Sequence, residues 1–268
     1  VAAVIITSFS STLHSALFVE AARHGVPLIL CEQFKPVSLM LPANRAGDTL
    51  LVKATLALDK RKKENLWRKT VDAKCMNQYL LAMHLTPHHA KLPRLEALAY
   101  GRSSSKEATS ARYYWGIIGE VLQVEDFKRH ADGYPLNGML NYGYAVLLST
   151  VLQKLFALGL DPTFGISHAP RERSTPLAYD LMEQFRPCVD WRVVQWMQTR
   201  EDPGDFHISS EFRRFVTGFV VEKVGYLKLE MPIQNCIEDV IRSFRKAVLE
   251  QQVRKYKPWT PPNSKWAG

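Results

Sequence analysis

Cysteine is scarce, with Cys31, Cys75, Cys188 and Cys236 the four in 268 residues. None falls in a C-x-x-C pair, which argues against the common structural zinc site, and four in a chain this long do not make a disulfide scaffold. A reducing cytoplasm is the expected compartment. Long apolar runs are lacking too. None reaches the roughly 18 residues that cross a bilayer, so no membrane partner is expected. The opening VAAVIITSF has no basic stretch before it and no cleavage pattern, so it is not read as a signal peptide. It has no initiator Met and reads as a strand entered partway through a domain, with the natural beginning missing. Acids are outnumbered, 26 Asp+Glu against 35 Lys+Arg. That surplus of nine positive charges favours a polyanionic partner, nucleic acid or an anionic surface.

What is present suits a globular protein. Hydrophobic residues make up 46% and charged residues 23%, enough core for one large domain or a small and a larger one. VAAVII (1–6) is a buried-strand run, followed by Ser10, Ser11 and Thr12 as N-cap hydroxyls for a helix that Gly25 would end. VPLILC (26–31) and PVSLMLP (36–42) predict two more strands. Composition changes at Asn44–Asp48. The expected fold class is therefore α+β, with a small β-rich unit over 1–48 and a larger all-α unit over 49–268. Apolar spacing predicts helix across 50–90 and over 93–101, 105–123, 137–158, 175–184, 189–199, 209–222 and 235–255. GLDPTFG (159–165) and EDPG (201–204) are loops. The tail KPWTPPNSKWAG reads as irregular or disordered.

Three passages could carry chemistry. In GISHAPRERSTPLAYDLMEQFRPCVD (165–190), Ser174 or Thr175 can cap a helix beginning at Pro176. Asp180 and Glu183 then share one face of it. Bare carboxylates are costly in a dry core, so this face should be open and could meet a cation. Carboxylate oxygens with the imidazole of His168 suit Mg²⁺ or Mn²⁺. A solvated face, or an ion pair of Glu183 with Arg186, explains the same spacing. In SSSKEATSARYYW (103–115), Ser103–Ser105 offer caps. Glu107 lies in the next helix's first turn, where the dipole alone favours an acid. Arg112 among aromatics could hold phosphate, although aromatic packing in a core is the commoner case. In LNGMLNYGYAVLLSTVLQKLF (136–156), Asn137, Asn141 and Tyr144 form a stripe that would line a polar cleft or a helix contact. DKRKKENLWRK (59–69) and RSFRKAVLEQQVRKYK (242–257) are basic runs, either solvated faces or a phosphate-tracking surface. The histidines of HLTPHH (84–89) have no acid beside them and are read as a loop.

Asn137 to Leu147 (N-G-M-L-N-Y-G-Y-A-V-L), Gly159 to His168 (G-L-D-P-T-F-G-I-S-H) and Leu177 to Pro187 (L-A-Y-D-L-M-E-Q-F-R-P) closely resemble CRISPR-associated protein one, the integrase subunit of CRISPR adaptation. Glu107 to Trp115 resembles that family's block around its first acidic ligand, and H-G-V-P-L-I-L-C (24–31) the end of its N-terminal β-domain. The blocks fall in family order over most of the chain. The resemblance implies a β-domain followed by a helical nuclease and integrase domain with one Mg²⁺ or Mn²⁺ site. Its ligands would be Glu107, His168 and Glu183, with Asp180 ranked lower. The strands that precede VAAVII in the family are absent, so the β-domain is expected to be incomplete.

The resemblance further implies a homodimer that assembles with CRISPR-associated protein two and inserts spacer-precursor DNA into a double-stranded repeat array. Arg112, Arg186 and Asn141 would contact that DNA. The expected chemistry is metal-assisted phosphodiester transfer with no covalent enzyme–DNA intermediate. His168 would ligate in its neutral form, so activity should fall in acid. The rivals are a non-catalytic basic helical nucleic-acid-binding protein and an inactive structural subunit.

Overall fold

The computed structural model describes residues 4–8, 10–24, 26, 28–32, 35–40, 48–103, 105–129, 134–168, 175–202, 204–262 and 266. The chain begins with strand β1 (Val4–Ile6), helix α1 (Ser15–Arg23) and strands β2 (Leu28–Glu32) and β3 (Lys35–Met40). β2 is the central strand, pairing parallel with β1 (Val4 against Leu28) and antiparallel with β3 (Leu28 against Met40). A strand covered on both sides needs an unbroken apolar run, and Leu28, Ile29 and Cys31 are buried. The register breaks between Leu30 and Cys31, where the strand bends.

Helices follow: α2 (Thr49–Leu56), α3 (Lys60–Leu85), α4 (Leu92–Tyr100), α5 (Lys106–Val121), α6 (Pro135–Ala157) and α7 (Pro176–Met182). A 3-10 turn (Glu183–Phe185) joins α7 to α8 (Arg186–Gln198). Then come α9 (Ser210–Thr217), a second 3-10 turn (Gly218–Val221), the antiparallel strands β4 (Lys223–Tyr226) and β5 (Leu229–Pro232), and α10 (Ile233–Leu249). The class is α+β, as expected, with one two-stranded ribbon inside the helical region. Among the described residues no helix is long and apolar enough to cross a membrane.

Two compact units result. One gathers Val1–Leu66, Ala145–Met182 and Ile237–Lys257. Its core includes Ile29, Leu51, Val151, Leu155, Leu177 and Phe244. Arg245 ties it together, with Nη2 donating to Asp48 at 2.5 Å and Nε to the carbonyl of Leu158 at 3.1 Å. The other gathers Trp67–Tyr144, Glu183–Cys236 and Pro258–Gly268, around Leu80, Tyr114, Ile117, Phe212, Phe219 and Trp259.

Several local expectations need correcting. Helix α1 is capped not by Ser10–Thr12 but by His14, whose Nδ1 accepts from Ala16 N at 3.2 Å. The hydroxyls lie too early to reach the first turn. Gly25 and Ser174 lie outside the described residues. The stretch 50–90 is two helices because Asp59 starts a new one, its Oδ1 accepting from Lys62 N at 2.7 Å. At α5, Ser105 holds the cap position without a side-chain cap bond. The described part of the tail has little regular structure, yet it is packed. Trp259 is buried, stacks on Phe185 with centroids 5.4 Å apart, and donates Nε1–H to the carbonyl of Gly225 at 3.0 Å.

Candidate active site

Within the second unit, four elements bring four charged side chains together. Glu107 is the second residue of α5, where the helix dipole favours it. Glu183 opens the 3-10 turn, and Arg186 begins α8. The fourth is Lys74 of α3. Its ammonium lies 2.8 Å from Glu107 Oε1 and 2.6 Å from Glu183 Oε2, so one cation bridges the two acids. The other oxygen of Glu183 accepts from Arg186 Nε at 2.7 Å. Two acids and two cations make a balanced cluster. Glu183 is 6% exposed and Glu107 34%.

The acidic face expected to stand open is therefore buried. Burial favours the neutral acid at Glu183, but the positive charges of Arg186 and Lys74 outweigh it and hold the carboxyl down at about 2. Burial likewise opposes charge on Lys74, yet attraction to Glu183 and then Glu107 keeps its ammonium above the ordinary range. Glu183 is thus an ionised carboxylate held at low exposure by two cations, whose charge would be left less compensated if either were removed.

Around this cluster lies an aromatic and amide shell. The Arg186 guanidinium stands 4.5 Å over the ring of Tyr144. Tyr144 and Tyr114 donate their hydroxyls to the two oxygens of buried Asp190, at 2.5 and 2.7 Å. Asp190 is pushed up to about 6, because burial outweighs those donors and the more distant Arg129 and Arg186. Arg129 reads the amide stripe directly, donating to Asn137 Oδ1 at 2.9 Å and Asn141 Oδ1 at 2.7 Å. Arg129 also lies 5.1 Å over Tyr144, so the stripe meets an arginine of the α5–α6 connection. Arg112 is exposed on α5 with its guanidinium over Tyr113, and does not join this group.

The first unit holds His168 and Asp180. Gly159 takes a left-handed turn at φ +71°, and Leu177 N donates to the carbonyl of Pro162 at 3.0 Å. Asp180, fully buried on α7, accepts from the backbone N–H groups of Ile166, Ser167 and His168 at 2.7, 3.2 and 3.1 Å. It also meets His168 Nδ1 at 2.7 Å. The contact suits a ring that carries its proton on Nδ1 and donates it to the carboxylate. A metal-ligating histidine is commonly oriented by such a carboxylate. Gly165 allows this fold, since a Cβ there would come within 2.8 Å of Pro176 Cβ and 2.9 Å of the His168 carbonyl oxygen.

Among the described residues no three His, Cys, Asp or Glu side chains are gathered as an ion cage. Glu107 and Glu183 nonetheless already share a cation through Lys74, and their hard oxygen donors fit a divalent ion of the Mg²⁺ or Mn²⁺ kind. Sequence reasoning missed Lys74, Arg129 and Asp190. Lys74 is one cation among many on a basic helix, and nothing near it in the sequence marks it out.

Residues 1–218 match the family model for CRISPR associated protein Cas1. The chain belongs to that family. A CRISPR-associated endonuclease Cas1 from Neisseria meningitidis serogroup C (strain 8013) is 32% identical over 200 residues, which are 72% of this chain and 64% of that protein. A CRISPR-associated endonuclease Cas1 2 from Saccharolobus solfataricus is 28% identical over 244 residues, covering 89% of this chain and 74% of its own. The chain thus spans less than two thirds of the Neisseria relative. Among solved structures, a casposase bound to integration product superposes with a TM-score of 0.72 at 22% identity, covering 96% of this chain and 83% of that one. A CAS1 protein from Thermotoga maritima gives 0.69 at 15% identity, covering 93% and 86%. Both share the fold.

Proposed function

We propose that this chain is a divalent-metal-dependent DNA endonuclease and integrase that inserts short DNA fragments into a CRISPR repeat array. The observation that carries the reading is the pairing of Glu107 and Glu183, from distant parts of the chain, around one cation. Together with His168 as third ligand, these two acids would hold Mg²⁺ or Mn²⁺. Bound there, the ion supplies Lewis-acid charge to the scissile phosphate. Asp180 acts as a positioning residue, fixing the tautomer of His168. Arg186 engages Glu183 through Nε and has further N–H donors for a phosphate oxygen, its plane braced by Tyr144. Arg112 and Asn141 would contact DNA further along. In integration a 3′-hydroxyl forms the new bond to phosphorus as the repeat's own phosphodiester bond breaks; in cleavage, water takes its place.

The family membership supports this reading, as do two related proteins described as endonucleases and a casposase bound to an integration product. A structure described as a Cas6-RT-Cas1–Cas2 complex, with a TM-score of 0.74 over 96% of this chain, supports CRISPR-associated protein two as partner. We extend the proposal to a homodimer working in the cytoplasm. The test is single replacement of Glu107, His168 and Glu183 by Ala, with strand transfer into a supercoiled target measured with Mn²⁺ and with chelator. Each variant should keep its circular dichroism and lose transfer. A folded variant with wild-type rates removes that residue from the ligand set. DNA binding indifferent to chelator, with no cleavage at high protein concentration, would favour a pure binding protein.

A further inference from the structure

Lys74 lies outside every sequence block quoted above for its resemblance, yet it makes the closest contacts to both acids of the site. Its Nζ is 2.8 Å from Glu107 and 2.6 Å from Glu183, and its side chain is 12% exposed. A lysine usually keeps its strongly hydrated head in water. Here the head is withdrawn from water and set between two carboxylates on different elements. Arg186 already neutralises the second oxygen of Glu183. The cluster is therefore charge-balanced as it stands. A divalent ion entering on these oxygens would meet an ammonium in the same place and would leave the cluster with surplus positive charge.

Resting on the metal-site reading above, we propose that Lys74 is a resident competitor for the divalent cation. Its ammonium holds Glu107 and Glu183 at one locus while the ion is absent, and it leaves their oxygens when the ion binds. The residue pre-forms the site and at the same time raises the metal concentration needed to fill it.

The experiment is a Mn²⁺ titration of the full chain followed by electron paramagnetic resonance, comparing wild type with Lys74→Met and Lys74→Gln. Glu107→Gln and Glu183→Gln serve as controls. The neutral variants should bind Mn²⁺ at least tenfold more tightly than wild type. Their melting temperatures should also rise more on Mn²⁺ addition, because the ion replaces the counter-charge they lack. Affinity in both neutral variants equal to or weaker than wild type, in protein that melts cooperatively, overturns the competitor role and leaves the metal site standing. Binding that neither acid-to-amide control weakens, in wild type or variant, overturns the metal reading and this inference with it. Should both neutral variants fail to fold, the ¹⁵N ammonium resonance of Lys74 in wild type decides. A shift on Mg²⁺ addition supports displacement, and an unmoved resonance overturns it.

Discussion

Replacing Asp180 by alanine removes in one step the acceptor for three backbone N–H groups and for the His168 ring. Hydrogen bonds to a charged acceptor are each worth about 1.5–3 kcal/mol. The loop they hold is partly open, with the His168 side chain 49% exposed, so water recovers part of the loss. A net cost of about 3 kcal/mol follows, and at about 2–4 °C per kcal/mol for a domain of this size the melting temperature should drop by about 6–12 °C. Limited proteolysis should open near residues 159–168 first. Asp180→Asn keeps one acceptor and should fall between. Activity should drop further than stability accounts for at 25 °C, because Asp180 meets the His168 ring at Nδ1 and orients it. A melting temperature for Asp180→Ala within about 2 °C of wild type would refute the reasoning, since four lost bonds to a buried carboxylate cannot be that cheap.

Two further outcomes are expected. An acid whose folded value is raised to about 6 holds its proton in the fold after the unfolded chain has released it, so stability falls as pH rises from about 4 to about 6. For Asp190 that loss is about 3 kcal/mol, read as wild type minus Asp190→Asn in denaturant melts at pH 4 and pH 7; parallel pH profiles for the two proteins would sink it. Gly143→Ala would drive a Cβ into Val189 Cγ1. Alanine gains about 1 kcal/mol in helix propensity, but overpacking of this kind costs about 1–3 kcal/mol. A net loss is expected in chemical denaturation, relieved in Gly143→Ala/Val189→Ala.

Elements with strong apolar periodicity were legible. The strand in VPLILC and helices α4, α5 and α6 lie within about two residues of their expected bounds. The β4–β5 ribbon was not, because its turn is Leu227–Lys228, with Leu227 at φ 54° and no Gly, Asn or Asp to announce it. The tail misled through its prolines, while its content of buried tryptophan decided its packing. At the site, the acidic spacing of Asp180 and Glu183 was visible, but the two side chains serve different partners. Asp180 holds a loop, and Glu183 meets Lys74 and Arg186. Spacing along a helix says which residues share a face, and only the tertiary fold says what that face meets.

Trp259 does more than fill space. Its backbone N–H donates to Gln184 Oε1 at 2.5 Å, and Asn77 Nδ2 donates to the carbonyl oxygens of both Gln184 and Trp259, at 2.7 and 3.1 Å. The neighbour of Glu183 is thus clamped by a residue 75 positions later in the chain. On a ribosome adding about 5–20 residues per second, Gln184 is synthesised about 4–15 s before its clamp exists. Throughout that interval the nascent chain carries both acids and lacks the brace that fixes one of them. The brace beside Glu183 is thus a contact that local chain order cannot supply, and it forms only once both stretches are present.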